Sequence, residues 1–432
     1  MKRMDDNASG APPFGKFERK LAARYLGARK SEGGVGLIAF LAFACIALAI
    51  AAMIIIMSIM NGFRSTTIRL TLGTDGHMFV ASAAANPTPE NVEALRVRLA
   101  GVEGVNVAFP YVENETFVQA SGNFTGAKVT GIPPKHLFEM KLISENLYLG
   151  DLETFGSGHN GGNQVAIGAQ MAARLGLTTG DHITIFSPLR RTSVMGSNIT
   201  KKSYEVAAIF HTGLFIADNY NIYMPLQQAS LFFDGGRAPT EIQLRLKNAD
   251  MIHSLKKPIE KAAAEPVWVA TWEDKNKTTA TALRTEQIAM RFIFMIVVII
   301  AVFPVLASMI MLVKNKGKDI AILRTMGASS GSVLRVFLMS GAAIGILGTM
   351  IGIIMGIVFC LNIGPIQHSI EFVTRTKLFP PDIYGIDKLP VKILPLEVFW
   401  VSLWGFLISA LATYFPAHAA SKVDPVEALR YE

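Results

Sequence analysis

The chain has 432 residues, 51% of them hydrophobic, and a mean hydropathy of +0.37. These values exclude a wholly soluble protein and point to a membrane protein with a large soluble part. The net charge of +8 sits at the ends, with 8 basic and 4 acidic residues in 1–61, 21 and 21 in 62–289, and 12 and 8 in 290–432. It therefore marks membrane orientation, not nucleic-acid binding.

Residues 1–34 carry Lys16, Arg19, Lys20, Arg24, Arg29 and Lys30, which by the positive-inside rule places this segment in the cytoplasm. The apolar run 35–60 that follows is well beyond the roughly 7–15 residues of a signal-peptide core. It predicts a first transmembrane helix over 35–61. Met53, Met57 and Met60 fall at i, i+4, i+7 on one of its faces, a stripe that suits lipid or helix contact and equally suits adaptable contact with acyl chains.

Residues 62–285 predict a mixed domain on the far side of the membrane. Thr88 and Pro89 read as N-cap and first residue of a helix that buries Val92, Leu95 and Leu99. Further helices are expected over 169–175 and 249–264, and strands over 165–168, 183–186, 204–210, 222–224 and 242–246. The stretch 187–203 is longer than a hairpin connection needs and is basic through Arg190, Arg191, Lys201 and Lys202. Pro188, Leu189, Val194 and Met195 supply apolar contacts in it. Its length is consistent both with a functional loop and with disorder.

A second transmembrane helix is predicted over 286–313, with an apolar core at 292–313 that Pro304 interrupts and is expected to kink. Residues 314–335 form a basic loop kept on the cytoplasmic side. Within it, 319–326 reads as a short amphipathic helix with Ile320, Leu323 and Met326 on one face and Lys318 and Arg324 elsewhere. Gly327 is expected to end it as C-cap. Such a helix either lies on lipid or docks in a partner's groove, and periodicity leaves both open.

The third span, 336–361, carries a ridge of Gly341, Gly345, Gly348, Gly352 and Gly356 that permits close helix contact, either as fixed packing or as a moving seam. An outside loop over 362–396, a fourth span over 397–416 and a cytoplasmic tail over 417–432 complete the topology. None of the four apolar cores contains Asp, Glu, Lys, Arg or His, which argues against a proton- or ion-coupled transporter.

Catalytic motifs are missing from the sequence: there is no GxxxxGK[ST] phosphate loop, no HExxH and no GxSxG, and the eight histidines lack ligand spacing. Cys45 and Cys360 both lie in apolar runs, so no disulfide framework is expected. The residues read as a non-catalytic subunit.

RKLAARYLGARK…MNGFR within 19–64, DIAILRTMGAS at 319–329 and KVDPVEALRYE at 422–432 resemble the permeases of lipoprotein-releasing ABC transporters, the LolC/LolE family. More widely they resemble the FtsX/MacB-like permeases. The likeness extends through LGLTTGDHITIFSP and AIFHTGLF. It implies an α-helical membrane domain of four transmembrane helices, with a large α+β periplasmic domain inserted between helices 1 and 2. It also implies a location in the bacterial inner membrane, with both termini cytoplasmic.

By this resemblance, Lys318, Asp319, Ile320, Leu323, Arg324, Met326 and Gly327 would couple the chain to a separate cytoplasmic ATPase dimer (LolD-like). That partner, not this chain, would bind ATP and Mg. Pro188, Leu189, Arg190, Arg191, Val194 and Met195 would form a hook that recruits a periplasmic lipoprotein carrier (LolA-like). Met53, Met57, Met60, Met290 and Met295 would contact triacylated lipoproteins in a cavity shared with a second permease copy or paralogue. A mechanotransmitting permease that controls cell-wall hydrolases and an efflux permease are the alternatives within the superfamily. The first usually has a smaller outside domain, and the second usually carries its ATPase on the same chain.

Overall fold

Uninterrupted apolar sequence folds as helix in a membrane because the backbone must satisfy its own hydrogen bonds there. The computed structural model describes residues 13–26, 33–83, 88–193, 196–376, 380 and 389–422. They group into two units, one drawn from 1–63, 284–376 and 390–432 and the other from 64–283 and 377–389.

The first unit opens with α1 (Lys16–Leu26) and α2 (Gly33–Asp75). Helix α2 runs well past Met60, where the apolar run suggested an end. From Arg64 onward the helix belongs to the second unit, where Ile68 and Leu72 pack into that unit's core.

Among the described residues, the second unit contains ten strands. In chain order they are β1 (Met78–Ser82), β2 (Val105–Ala120), β3 (Asn123–Ile132), β4 (Leu147–Gly150), β5 (Gln164–Gly168), β6 (His182–Ser193), β7 (Gly196–Phe210), β8 (Asn221–Pro225), β9 (Glu241–Leu246) and β10 (Val267–Thr271). Between them lie α3 (Pro89–Ala100), α4 (Pro134–Glu139), α5 (Lys141–Ser144), α6 (Ala169–Leu175), α7 (Phe215–Tyr220), α8 (Leu226–Phe233), α9 (Ile252–Ala263) and α10 (Trp272–Lys275). Helix α3 begins as its sequence requires: the Thr88 side chain accepts from the Asn91 N–H, Pro89 follows it, and Val92, Leu95 and Leu99 are buried.

Strand β2 belongs to two sheets. Its first half pairs with β9, which continues through β1 to β10. Its second half enters a ring in which β2, β3, β8, β5, β7 and β6 pair in turn and β6 returns to β2. The ring closes through only two register pairs, Val118 with Ile185 and Gln119 with Thr184. Val129, Val165, Ile167, Ile183, Ile185, Tyr204, Val206 and Ile222 make its core, joined by Met171 and Leu175 of α6 and Phe232 and Phe233 of α8.

The first unit resumes with α11 (Lys277–Asn315), α12 (Gly317–Thr325), α13 (Ser330–Leu361), α14 (Ile363–Thr374) and α15 (Pro395–Ser421). Helices α2, α11, α13 and α15 are each long and apolar enough to cross a membrane. Helix α11 is continuous through Pro304. The outside loop predicted over 362–396 contains α14. The glycine ridge of α13 is a contact surface: a Cβ on Gly341 would lie 2.2 Å from Thr413 of α15, and one on Gly352 would lie 2.7 Å from the Ala47 carbonyl oxygen of α2. Ile46, Ile50, Ile54, Val305, Met309, Phe337, Ile344 and Val401 fill the space between the helices.

Candidate functional site

Helix α12 starts with Asp319 in its first turn, paired with Lys316 at 3.2 Å, and carries Arg324 in its last turn. Both charges favour the helix dipole. Ile320 is 1% exposed and belongs to the core among the long helices, and Ala321 is also buried. Leu323 and Arg324 are half-buried, while Lys318 and Asp319 are exposed.

The amphipathic face expected for this segment is divided. The helix ends at Thr325, so Met326 is its C-cap and stands 79% exposed, away from Ile320. Gly327 is the residue after the cap. With φ +98 it lets its own N–H reach the Arg324 carbonyl (3.1 Å) and the Ala328 N–H reach the Leu323 carbonyl (3.0 Å). Those two crossed bonds form a Schellman turn. Ile322, exposed on the outer side, joins Met326 as the apolar part that faces away from the bundle; the spacing argument passed over it.

The stretch 187–203 is paired backbone through most of its length. Strands β6 and β7 continue outward as a hairpin, with Arg190 opposite Ile199, Arg191 opposite Asn198, and Ser193 opposite Gly196. A register shift lies between Phe186 and Arg190, as expected where a strand pair bends. Pro188, Leu189, Arg190 and Arg191 are all on the outgoing strand. Val194 and Met195 lie outside the described residues.

The methionines do not share one environment. Met53 is 6% exposed and lines a narrow crevice of about 30 Å³ with Ile50, Val298, Val302 and Gly405. That space is of the order of one water molecule. Met57, Met60 and Met290 are half-buried, and Met295 is 51% exposed. Met53 is thus packed into the bundle and Met295 faces out of it.

Two features escaped the sequence reading. At the end of the first apolar run, Asn61 donates its side-chain amide to Glu397 of α15. The Lys392 N–H donates to the Ser58 carbonyl at 2.9 Å. The signal available was Gly62, since glycine inside a helix weakens it unless something approaches closely.

The second is a cavity of about 620 Å³ in the second unit. Thr67, Thr71 and Thr74 line one side of it, and Lys128 and Asp75 form a 2.6 Å ion pair within it. Among the described residues no group of three or more His, Cys, Asp or Glu is placed to hold a metal.

Two family models match the chain: the MacB-like periplasmic core domain over residues 39–262 and the FtsX-like permease C-terminal domain over residues 291–425. The chain therefore belongs to the family of proteins with a MacB-like periplasmic core domain, here followed by an FtsX-like permease C-terminal domain, and it is similar along its length to lipoprotein-releasing LolC and LolE proteins. It is 28% identical to the lipoprotein-releasing system transmembrane protein LolC of Neisseria meningitidis serogroup B, covering 96% of this chain and 99% of that one. It is 26% identical to the corresponding LolE of Haemophilus influenzae, covering 94% and 97%. The crystal structure of the periplasmic region of MacB from Actinobacillus actinomycetemcomitans aligns at a TM-score of 0.32 and 12% identity, over 49% of this chain and 95% of that one.

Proposed function

We propose that this chain is the permease subunit of an ABC transporter that extracts lipoproteins from the inner membrane and passes them to a periplasmic carrier. The observation that carries this reading is the end-to-end similarity to lipoprotein-releasing transmembrane proteins, which includes all four apolar helices and the domain between the first two. In this reading the α+β domain faces the periplasm and both termini face the cytoplasm, in keeping with the basic ends of the chain.

The energetics define what each part does. At about 0.8 kcal/mol per buried CH₂, three acyl chains of roughly 15 methylenes resist extraction by on the order of 35 kcal/mol. No single ATP covers that. The permease therefore presents an apolar surface comparable to lipid, and ATP drives closure and hand-over. The cavity would form with a second permease, and Met295, which is exposed, and Met57, Met60 and Met290, which are half-buried, would contribute to it.

Helix α12, with exposed Lys318, Asp319, Ile322 and Met326, would dock on a separate ATPase that holds ATP and Mg. The β6–β7 hairpin would recruit the carrier. Deleting 194–199 without loss of carrier binding would remove that assignment.

The decisive experiment reconstitutes the chain with its co-purifying ATPase and permease partner in proteoliposomes loaded with a labelled triacylated lipoprotein. Release that requires both ATP and soluble carrier is the expected result. ATP hydrolysis with every subunit present and no release would turn the assignment toward a mechanotransmitting permease.

A further inference from the structure

Helix α1 carries Lys16, Arg19, Lys20 and Arg24, all exposed, yet its one acidic residue is turned inward. Glu18 is 0% exposed, and residues of this type are almost never fully buried without partners. Its partners come from two places. The Phe14 N–H donates to it at 2.7 Å within its own segment. Across the bundle, Arg335 of α13 reaches both carboxylate oxygens through Nε at 3.1 Å and one of them through Nη2 at 2.8 Å. The Ser332 hydroxyl donates to the same carboxylate.

Burial alone would push this carboxyl upward. The bonds from Arg335, Ser332 and the Phe14 N–H outweigh that and hold it below the usual carboxylate range. Leu21 and Ala22, on the same side of α1, pack into the core shared by the long helices.

The position along the chain gives this contact its meaning. The Schellman turn that ends α12 is followed at once by Ser329, the N-cap of α13, whose hydroxyl accepts from the Ser332 N–H at 3.2 Å. Ser332 and Arg335 are the residues that grip Glu18. From α12 to the grip there is only a capped turn and the first turns of a helix, with Ile320 of α12 and Val333, Val336 and Phe337 of α13 in one core.

We propose that Glu18 is a positioning residue of the transport cycle, fastening α1 to the base of α13 so that a push on α12 moves α12, α13 and α1 together. The proposal rests on the reading of α12 as the helix that docks on the ATPase. It assigns the N-terminal helix a mechanical role: without the Glu18 contact, α13 pivots at its base and part of the stroke is lost.

The test compares the reconstituted wild-type transporter with Glu18→Gln and Glu18→Asp, reading trypsin cleavage at the exposed Arg19, Lys20 and Arg24, ATP turnover, and lipoprotein released per ATP. In Glu18→Gln, α1 is expected to be cut faster and ATP turnover to persist. Release per ATP is expected to fall by about five- to a hundredfold, the usual range of coupling between sites. Glu18→Asp, which keeps the charge, should recover much of it.

Unchanged release per ATP in Glu18→Gln overturns the proposal, as does lowered release with α1 protected as in the wild type. If Glu18→Gln does not assemble, Ser332→Ala removes a single donor, and a smaller fall in the same direction is expected; no fall overturns the proposal. If the wild type hydrolyses ATP but releases nothing, the transport reading has failed. The Glu18 contact is then judged by cleavage alone, and an unaltered pattern in Glu18→Gln overturns it.

Discussion

Gly62 and Pro390 meet backbone to backbone. A Cβ on Gly62 would lie 2.4 Å from the Pro390 carbonyl oxygen and 2.7 Å from the Cα of Val391. No rotamer change relieves a contact with main chain. Gly62→Ala should therefore destabilise the chain by about 1–3 kcal/mol, seen as a lower thermal midpoint in detergent. Gly364 in α14 has nothing within 4 Å of an added Cβ, so Gly364→Ala should be neutral or should raise the midpoint through helix propensity.

Asp75 and Lys128 pair at 2.6 Å with side chains 14% and 22% exposed. Removing one partner takes away the other's charge-assisted bond, at a cost of about 1.5–3 kcal/mol. Asp75→Leu and Lys128→Met should each lower stability by that order. The double variant should lose much less than the sum. Denaturant midpoints of the four proteins give the cycle directly.

Within α12, stability and docking should separate by residue. Ile320→Ala removes a core side chain and should cost about 2–5 kcal/mol. Gly327→Ala forces a side chain into the left-handed region at φ +98 and should cost about 1–2 kcal/mol. Met326→Ala should leave the thermal midpoint unchanged, and if α12 docks on an ATPase as proposed it should reduce co-purification of that ATPase.

Much of this segment was legible in advance, and the limits are physical. The helix and its glycine stop follow from local pattern and cap chemistry. The division of its apolar residues between core and surface does not, because it depends on which neighbours α12 meets. Likewise the four apolar runs are plain from composition, but the end of α2 at Asp75 is set by Ile68 and Leu72 packing into a core assembled from distant segments.

Strands β2 and β3 escaped the sequence reading because Glu113, Glu115, Lys128 and Thr130 break any apolar run while Val112, Val118, Ala127 and Val129 face the ring. The hairpin was legible as an overlong basic connection. Its pairing was not, since polar strands carry little periodic signal. In the sequence Glu18 stands as one acid among Lys16, Arg19, Lys20 and Arg24, and Ser332 and Arg335, which bind it, lie 314 and 317 residues further along the chain.

His77 should make the chain sensitive to acid. Burial and then the nearby Arg245 push its imidazole down to about 4 from an ordinary 6.5, and its Nδ1 accepts from the Leu246 N–H at 3.3 Å. Between those two values the unfolded chain binds the proton and the folded chain does not, so stability falls as the pH drops from 6.5 toward 4. The slope from this group is at most about 1.4 kcal/mol per pH unit, less where water screens the ring. Thermal midpoints across that window should fall in the wild type and flatten in His77→Gln.

Met53 and Met295 should part company in the same way. Met53→Ala opens a cavity among packed helices and should cost about 2–5 kcal/mol. Met295→Ala should leave the midpoint within about 0.5 kcal/mol of wild type. If Met295 contacts acyl chains, that variant lowers release at unchanged ATP turnover.

The closed ring of six strands has a consequence for how the protein is made. Its second strand partner for β2 is β6, and β6 is itself held by β7, which ends only at Phe210. A chain emerging in order therefore carries the outer edge of β2 unpaired until β6 arrives and that of β3 until β8 arrives, and such non-local closure is slow. During that interval the exposed strand edge is a template for the wrong neighbour. Once β8 is in place every strand of the ring has a neighbour on each side, with the β2–β6 seam held by Val118 and Gln119 against Ile185 and Thr184. Strand β8, which joins β3 to β5 and is the last of the ring to be made, is thus the stitch that ends the vulnerable period of synthesis, and chains cut short before it would be the ones a quality-control protease meets.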